Sequence, residues 1–84
     1  MAAKTPDSVR QENLGSARLV MAIFSTTNID NTDTYATGMN GIIGAWFAPD
    51  TTTGVVGVSN SSGTLTFAAS ADNQTGTLYI LHRG

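Results

Sequence analysis

The chain has 84 residues, of which 12% are charged, and a formal net charge of −2. A chain of this length makes one small domain. The absence of cysteine excludes disulfides, and one histidine with six scattered carboxylates offers few ligands, so we expect neither a cofactor nor a metal. Oligomerisation remains as a further source of stability.

The distribution of charge excludes two kinds of partner. No lysine or arginine occurs between Leu19 and Leu81, so the basic patches that bind nucleic-acid phosphates are missing. No apolar run approaches the roughly 20 residues of a membrane span, and the N-terminal sequence lacks the apolar core of a signal peptide. We therefore expect neither nucleic acid nor a membrane as a partner.

Residues 1–16 differ in composition from the rest, and we interpret them as an N-terminal arm before a β-domain of residues 17–84. The arm holds most of the charge, while Val9 and Leu14 are its only sizeable apolar side chains. It is either extended or a short helix with Pro6 at its first position. An arm with so little to bury is poorly ordered unless something holds it.

Five candidate strands follow the arm, separated by turns rich in glycine, asparagine and threonine. They cover residues 17–26, 41–48, 54–59, 64–70 and 77–83. Alternation in the last two predicts Leu65, Phe67 and Ala69 on one face, and Leu78, Ile80 and His82 on another. Short strands at close spacing predict an all-β fold, a small antiparallel β-sandwich or open barrel of about five strands.

Two of these strands are apolar on both faces, which is unusual in a small antiparallel sheet with one solvated face. In residues 17–24, one face carries Leu19 and Met21 while the other carries Val20 and Phe24. We expect a second copy of the chain to cover the surplus face. The alternative is that the chain's own arm and loops cover it. The residues predicted at the oligomer interface are Val20, Phe24, Ile43 and Phe47.

The sequence contains no pattern typical of an enzyme. His82, third from the C-terminus, is poorly placed for a general base in nucleophilic catalysis. Asp30 and Asp33 lie in a loop whose spacing does not fit a calcium-binding EF-hand, so we expect structural Asx turns there. Trp46 and Tyr79 could form an aromatic platform for a sugar or a stacked nucleic-acid base, although packing in a core or an interface is favoured.

Three weak motifs resemble the small all-β virion structural proteins of tailed bacteriophages. They are an Asp/Thr-rich D-x-x-D-T loop, a G-I-x-G strand, and an A-D-N turn followed by G-T-L-Y. The matching positions are Asp30, Asp33, Thr34, Gly41, Ile42, Gly44, Asp72, Asn73, Gly76, Thr77, Leu78 and Tyr79.

The resemblance implies a capsid decoration, or cement, protein that forms homotrimers on the head and binds the major capsid protein. Such a protein is made in the host cytoplasm and resides on the capsid surface of the virion. We expect the arm to dock on the shell, with Lys4 and Arg10 pairing with acidic groups and Val9 and Leu14 filling shallow pockets. The alternatives are a head-tail connector, tail tube or fibre component, and a carbohydrate-binding β-module.

Overall fold

A computed structural model describes residues 2–50 and 55–83 of the chain. The strands in the described residues are β1 (Ser8–Asn13), β2 (Arg18–Ile29), β3 (Thr34–Ala36), β4 (Ile42–Pro49), β5 (Val56–Ser61), β6 (Thr64–Ala69) and β7 (Gln74–His82). They form a four-stranded sheet in the order β1-β2-β7-β4 and a three-stranded sheet in the order β3-β6-β5, with every strand pair antiparallel. The prediction of an all-β fold is confirmed.

The hydrophobic core lies between the two sheets. Alternate residues of β2, β7 and β4 point inward from the four-stranded sheet, and those of β5 and β6 point inward from the other, as period-two alternation requires. The buried apolar residues are Val20, Ala22, Phe24, Ile29, Phe47, Val56, Leu65, Phe67, Leu78 and Ile80. The predicted inward positions of Leu65, Phe67, Leu78 and Ile80 are thus confirmed; His82 is also buried, and Ala69 is partly buried against the core.

The five predicted strands correspond to β2, β4, β5, β6 and β7, with ends that shift by a few residues. Gly54, predicted to begin the third of them, lies outside the described residues. Two further strands were not predicted. The strand β1 has six exposed side chains and no apolar alternation, and β3 is only three residues long within a polar loop.

The arm runs along the edges of both sheets. Its first residues add to the three-stranded sheet through a parallel bridge between Ala3 and Thr34, and β1 then pairs with β2 at the edge of the four-stranded sheet. Pro6 lies at the crossing from one sheet to the other. The short helix considered for this segment is therefore wrong, because extended backbone bonds to the sheet edges instead.

The prediction that Val20, Phe24 and Phe47 lie at an oligomer interface is wrong. Their exposed fractions are 1%, 0% and 7%, because the three-stranded sheet of the same chain covers them. Ile43 is 52% exposed and lies at a register shift in the pairing of β4 with β7. The shift turns Ile42 toward the core and away from the face of Trp46, on which alternation had placed it.

Candidate interaction surface

The solvent-facing side of the four-stranded sheet is apolar and uncharged across three adjacent strands. Strand register aligns Ile23 with Thr77 and Ala48, Met21 with Tyr79 and Trp46, and Leu19 with Leu81 and Gly44. Because these nine residues alternate with the buried ones, they point away from the core. We call them the outer face. They are half-buried or exposed, and no second layer of the described chain covers them.

An aromatic pair lies at the centre of the outer face. Trp46 and Tyr79 are direct cross-strand partners, and their rings stack with centroids 5.5 Å apart and planes 15° apart. Trp46 remains 49% exposed. Stacked aromatic rings bring a large rigid contact area, which makes Trp and Tyr frequent anchors of protein interfaces.

Charged residues lie at the β1 border of the outer face. Register places Arg10 beside Met21 and Glu12 beside Leu19, and both charged side chains are exposed. An apolar centre with a charged border is the usual composition of a protein interface. The outer face is thus the opposite side of the same strand, β2, from the side that the sequence predicted.

The arm is anchored by the carboxylate of Asp7. Its Oδ2 atom accepts hydrogen bonds from the main-chain N–H groups of Ser25 (2.6 Å), Thr26 (2.8 Å) and Thr27 (3.2 Å). The three hydroxyl groups donate to the same carboxylate at 3.2, 2.8 and 3.0 Å. Successive N–H groups that converge on one anion form a nest, and we call these three residues the 25–27 nest.

The 25–27 nest lies where the register of β2 against β7 shifts, between Phe24 and Ile29, so its N–H groups are turned from the ladder toward Asp7. The Ser25 N–H, the Thr26 hydroxyl and the other donors favour the ionised carboxylate and hold the pKa of Asp7 well below its ordinary value. No feature of the sequence alone had singled out Asp7.

A second anchor joins the arm to the start of β3. Lys4 Nζ lies 3.5 Å from Oδ2 of Asp33, and the N–H of Ala2 donates to Oδ1 of the same carboxylate. Burial opposes the ionisation of Asp33, but the N–H groups of Asp30 and Ala2 and the Lys4 ammonium outweigh it and lower its pKa. Lys4 is therefore engaged within the chain rather than presented to a partner.

The other three predicted arm contacts are exposed. Val9 and Leu14 are 51% and 56% exposed, and the Arg10 side chain is also exposed. Because β1 is held by its backbone, these side chains can contact a partner while the arm remains on the sheet.

The loop that contains Asp30 and Asp33 is held in place by hydrogen bonds. Asp33 accepts the N–H of Asp30, three residues before it, whereas an Asx turn needs an N–H two residues after the aspartate. Asp30 accepts the N–H of Asn73, and Asn31 accepts that of Ala69, so these bonds are not the predicted Asx turns. Most of its polar groups thus bond across to neighbouring segments. Within residues 2–50 and 55–83, no group of three or more histidine, aspartate or glutamate side chains could hold a metal ion.

His82 and Gln74 are buried polar residues at opposite ends of β7. His82 is 5% exposed, lies opposite Arg18 and Ile42, and neither of its ring nitrogens has a hydrogen-bond partner in the described part of the chain. No nucleophile or carboxylate of that part is bonded to the imidazole.

A shallow cavity of about 290 Å³ near Asn60 has no charged residue in its lining.

Comparison of the chain with protein-family models, with curated proteins and with solved structures gives no match. Among the described residues, no helix is long and apolar enough to span a membrane. Inference about function therefore rests on the outer face and the arm.

Proposed function

We propose that the chain is a virion structural protein that oligomerises on a phage head and stabilises the capsid lattice as a decoration protein. The observation that carries this proposal is the outer face, an uncharged apolar sheet surface in a chain whose core is already complete. An exposed apolar patch marks a site of interaction, and a broad sheet face with an aromatic centre and a charged border fits a protein partner. The proposed location on the phage head is based on the resemblance of the sequence to small phage virion proteins.

A second copy of the chain is the partner that fits the outer face. Burial of apolar surface stabilises association by roughly 25 cal/mol per Å². The stacked Trp46–Tyr79 pair offers the largest side chains of the face. Arg10 and Glu12 at its border can pair with the opposite charges of a symmetry-related copy. We propose that the copies form a homotrimer, which would bridge neighbouring capsomers of the capsid lattice.

The exposed side chains of the arm provide a separate contact with the major capsid protein. Val9, Arg10 and Leu14 lie on the strand and turn that border the outer face, so copies joined through that face would present several arms to one shell. Several weak contacts acting together give avidity. Lys4 is not part of this proposal, because it pairs with Asp33.

The test uses capsid shells of the encoding virus, assembled without this chain. Purified protein is added, and co-sedimentation and shell melting are measured beside the oligomeric state of the protein alone. We expect binding to shells and a higher shell melting temperature. Val9→Ser with Leu14→Ser should weaken shell binding but leave the oligomer, whereas Trp46→Ser should weaken the oligomer. Binding to tails instead of shells would reassign the protein to another virion site, and binding to neither would refute the proposal.

A carbohydrate-binding module is the second candidate, because Trp46 is half-exposed and its ring stacks with that of Tyr79. A sugar ring packs on an exposed aromatic face through its C–H groups. A glycan array separates the two candidates. A reproducible glycan signal that Trp46→Ala abolishes would favour the module, and a blank array with shell binding would favour the virion role.

A further inference from the structure

We propose that the arm is exchanged between copies of this chain, so that Asp7 of one copy occupies the 25–27 nest of its neighbour. This inference deepens the proposed function and rests on it only for the crowding of copies on a shell. It adds the arm as a second element that joins copies, beside the outer face.

The first support is that the described part of the arm, from residue 2 onward, buries none of its own side chains on the body. All six side chains of β1 are exposed. The arm is attached by backbone pairing of β1 with β2, by the backbone bridge of Ala3 with Thr34, and by the contacts of Asp7 and Lys4. Every one of these contacts can form identically when the arm comes from another copy. Exchange therefore loses no packing.

The second support is the specificity of the anchor. One carboxylate collects six hydrogen bonds from three consecutive residues, all on an exposed part of the surface. Charge-assisted hydrogen bonds are roughly twice as strong as neutral ones. The Asp7 contact would thus set the register in which the arm of another copy pairs with β2, without any contact to the hydrophobic core.

The third support is the connection between the arm and the body. Residues 14–17 form a tight turn, in which the N–H of Leu14 donates to the carbonyl of Ala17 (2.8 Å) and the N–H of Gly15 to Oδ1 of Asn13 (3.0 Å). Gly15 adopts φ +88°, and nothing of the described chain lies within 4 Å of the position where its Cβ would be. Opening this turn breaks few contacts, and four extended residues reach about 13–14 Å, enough to meet an adjacent copy.

The experiment tests for a disulfide between two variants that carry one cysteine each. Because the native chain has no cysteine, any disulfide must involve the introduced residues. One chain carries Arg10→Cys and the other Met21→Cys, at positions that face each other between β1 and β2. Directly opposite residues on antiparallel strands lie close enough for a disulfide. The two chains are unfolded together, refolded at high concentration without capsid, oxidised, and analysed on non-reducing gels and by mass spectrometry.

We expect a covalent dimer that links position 10 of one chain to position 21 of the other. Asp7→Ala in the first chain should reduce this product several-fold, whereas Ser8→Ala should not. A gel with monomer only, or with mainly like-to-like links, would overturn the proposal. Because no shell is present, such a failure would leave the shell-binding result untouched.

The hinge gives an independent measurement. Gly15→Pro cannot adopt φ +88°, so it should open the turn and increase the mixed disulfide several-fold, while Gly15→Asn, which tolerates this conformation, should not change it. Equal amounts of the mixed disulfide in these two variants would contradict exchange through this turn.

Discussion

Trp46 stacks on Tyr79 across the β4–β7 pair, with ring centroids 5.5 Å apart, on the side of the sheet that faces away from the core. Its chain neighbour Phe47 points the other way and packs edge-on against Phe67. These two adjacent residues therefore have different roles: Phe47 stabilises the fold, and Trp46 is available to a partner.

The Trp46→Ala variant should test this separation. The loss of the stacked pair should cost about 1 kcal/mol of unfolding free energy, and self-association should weaken several-fold. Phe47→Ala is the matched control and should cost about 3–5 kcal/mol, because it empties a core position. Urea unfolding and sedimentation equilibrium measure the two effects. Unchanged self-association of Trp46→Ala would remove the outer face from the interface.

The alternation of the strands could be predicted from the sequence, but the side that meets the core could not. In β2, both sets of alternate residues are apolar, so pattern alone does not decide whether Val20 or Met21 is buried. Which side is buried depends on the register of β2 with β7 and on the three-stranded sheet that packs over one side of β2. Both are contacts between residues far apart in the sequence. The register shift at Ile43 similarly depends on the neighbouring strand.

The Asp7→Asn variant should destabilise the protein near neutral pH and flatten its response to acid. Since the folded state lowers the pKa of Asp7, its contribution to stability is present above the ordinary aspartate pKa, about 4, and is lost as pH falls toward the folded pKa. Asp33, whose pKa is also lowered, adds to the same response.

Thermal unfolding between pH 6 and pH 2 measures this effect. The wild type should lose melting temperature steadily below about pH 4, and Asp7→Asn should start lower and lose less. Glu12→Gln, an exposed change in the same arm, serves as the control. Parallel curves for Asp7→Asn and the wild type would show that the nest does not stabilise the carboxylate.

Asp7 could not have been found from composition, because a single aspartate in a charged arm is unremarkable. The Ser25-Thr26-Thr27 run after an apolar strand was the available signal, since three hydroxyl residues in sequence can surround an anion. Whether their N–H groups converge depends on the shift between β2 and β7. The exposed location of Val9 and Leu14, by contrast, followed from the scarcity of apolar residues in the arm.

Two glycines of the sequence should respond differently to alanine. Gly76 has φ +156°, and a Cβ there would lie 2.8 Å from Cα of Pro49 and closer still to the carbonyl of Ala48. Gly44 has nothing of the described chain within 4 Å of its Cβ position. We expect Gly76→Ala to cost roughly 2–4 kcal/mol, from overpacking and backbone strain, and Gly44→Ala to be neutral or slightly stabilising. Chemical unfolding of both variants compares them directly, and equal effects would contradict the close approach of β4 to β7 at Gly76.

His82→Leu should stabilise the protein. The imidazole is 5% exposed on the inward side of β7, and neither ring nitrogen has a partner among the described residues. A buried polar group without a hydrogen bond costs about 1–3 kcal/mol, so an apolar side chain of similar size should recover about 1 kcal/mol. For a domain of this size that corresponds to a rise of about 4–8 °C in melting temperature. His82→Gln keeps a polar group at the same position and should give no gain. A loss of stability in His82→Leu would show that the imidazole forms a hydrogen bond in solution.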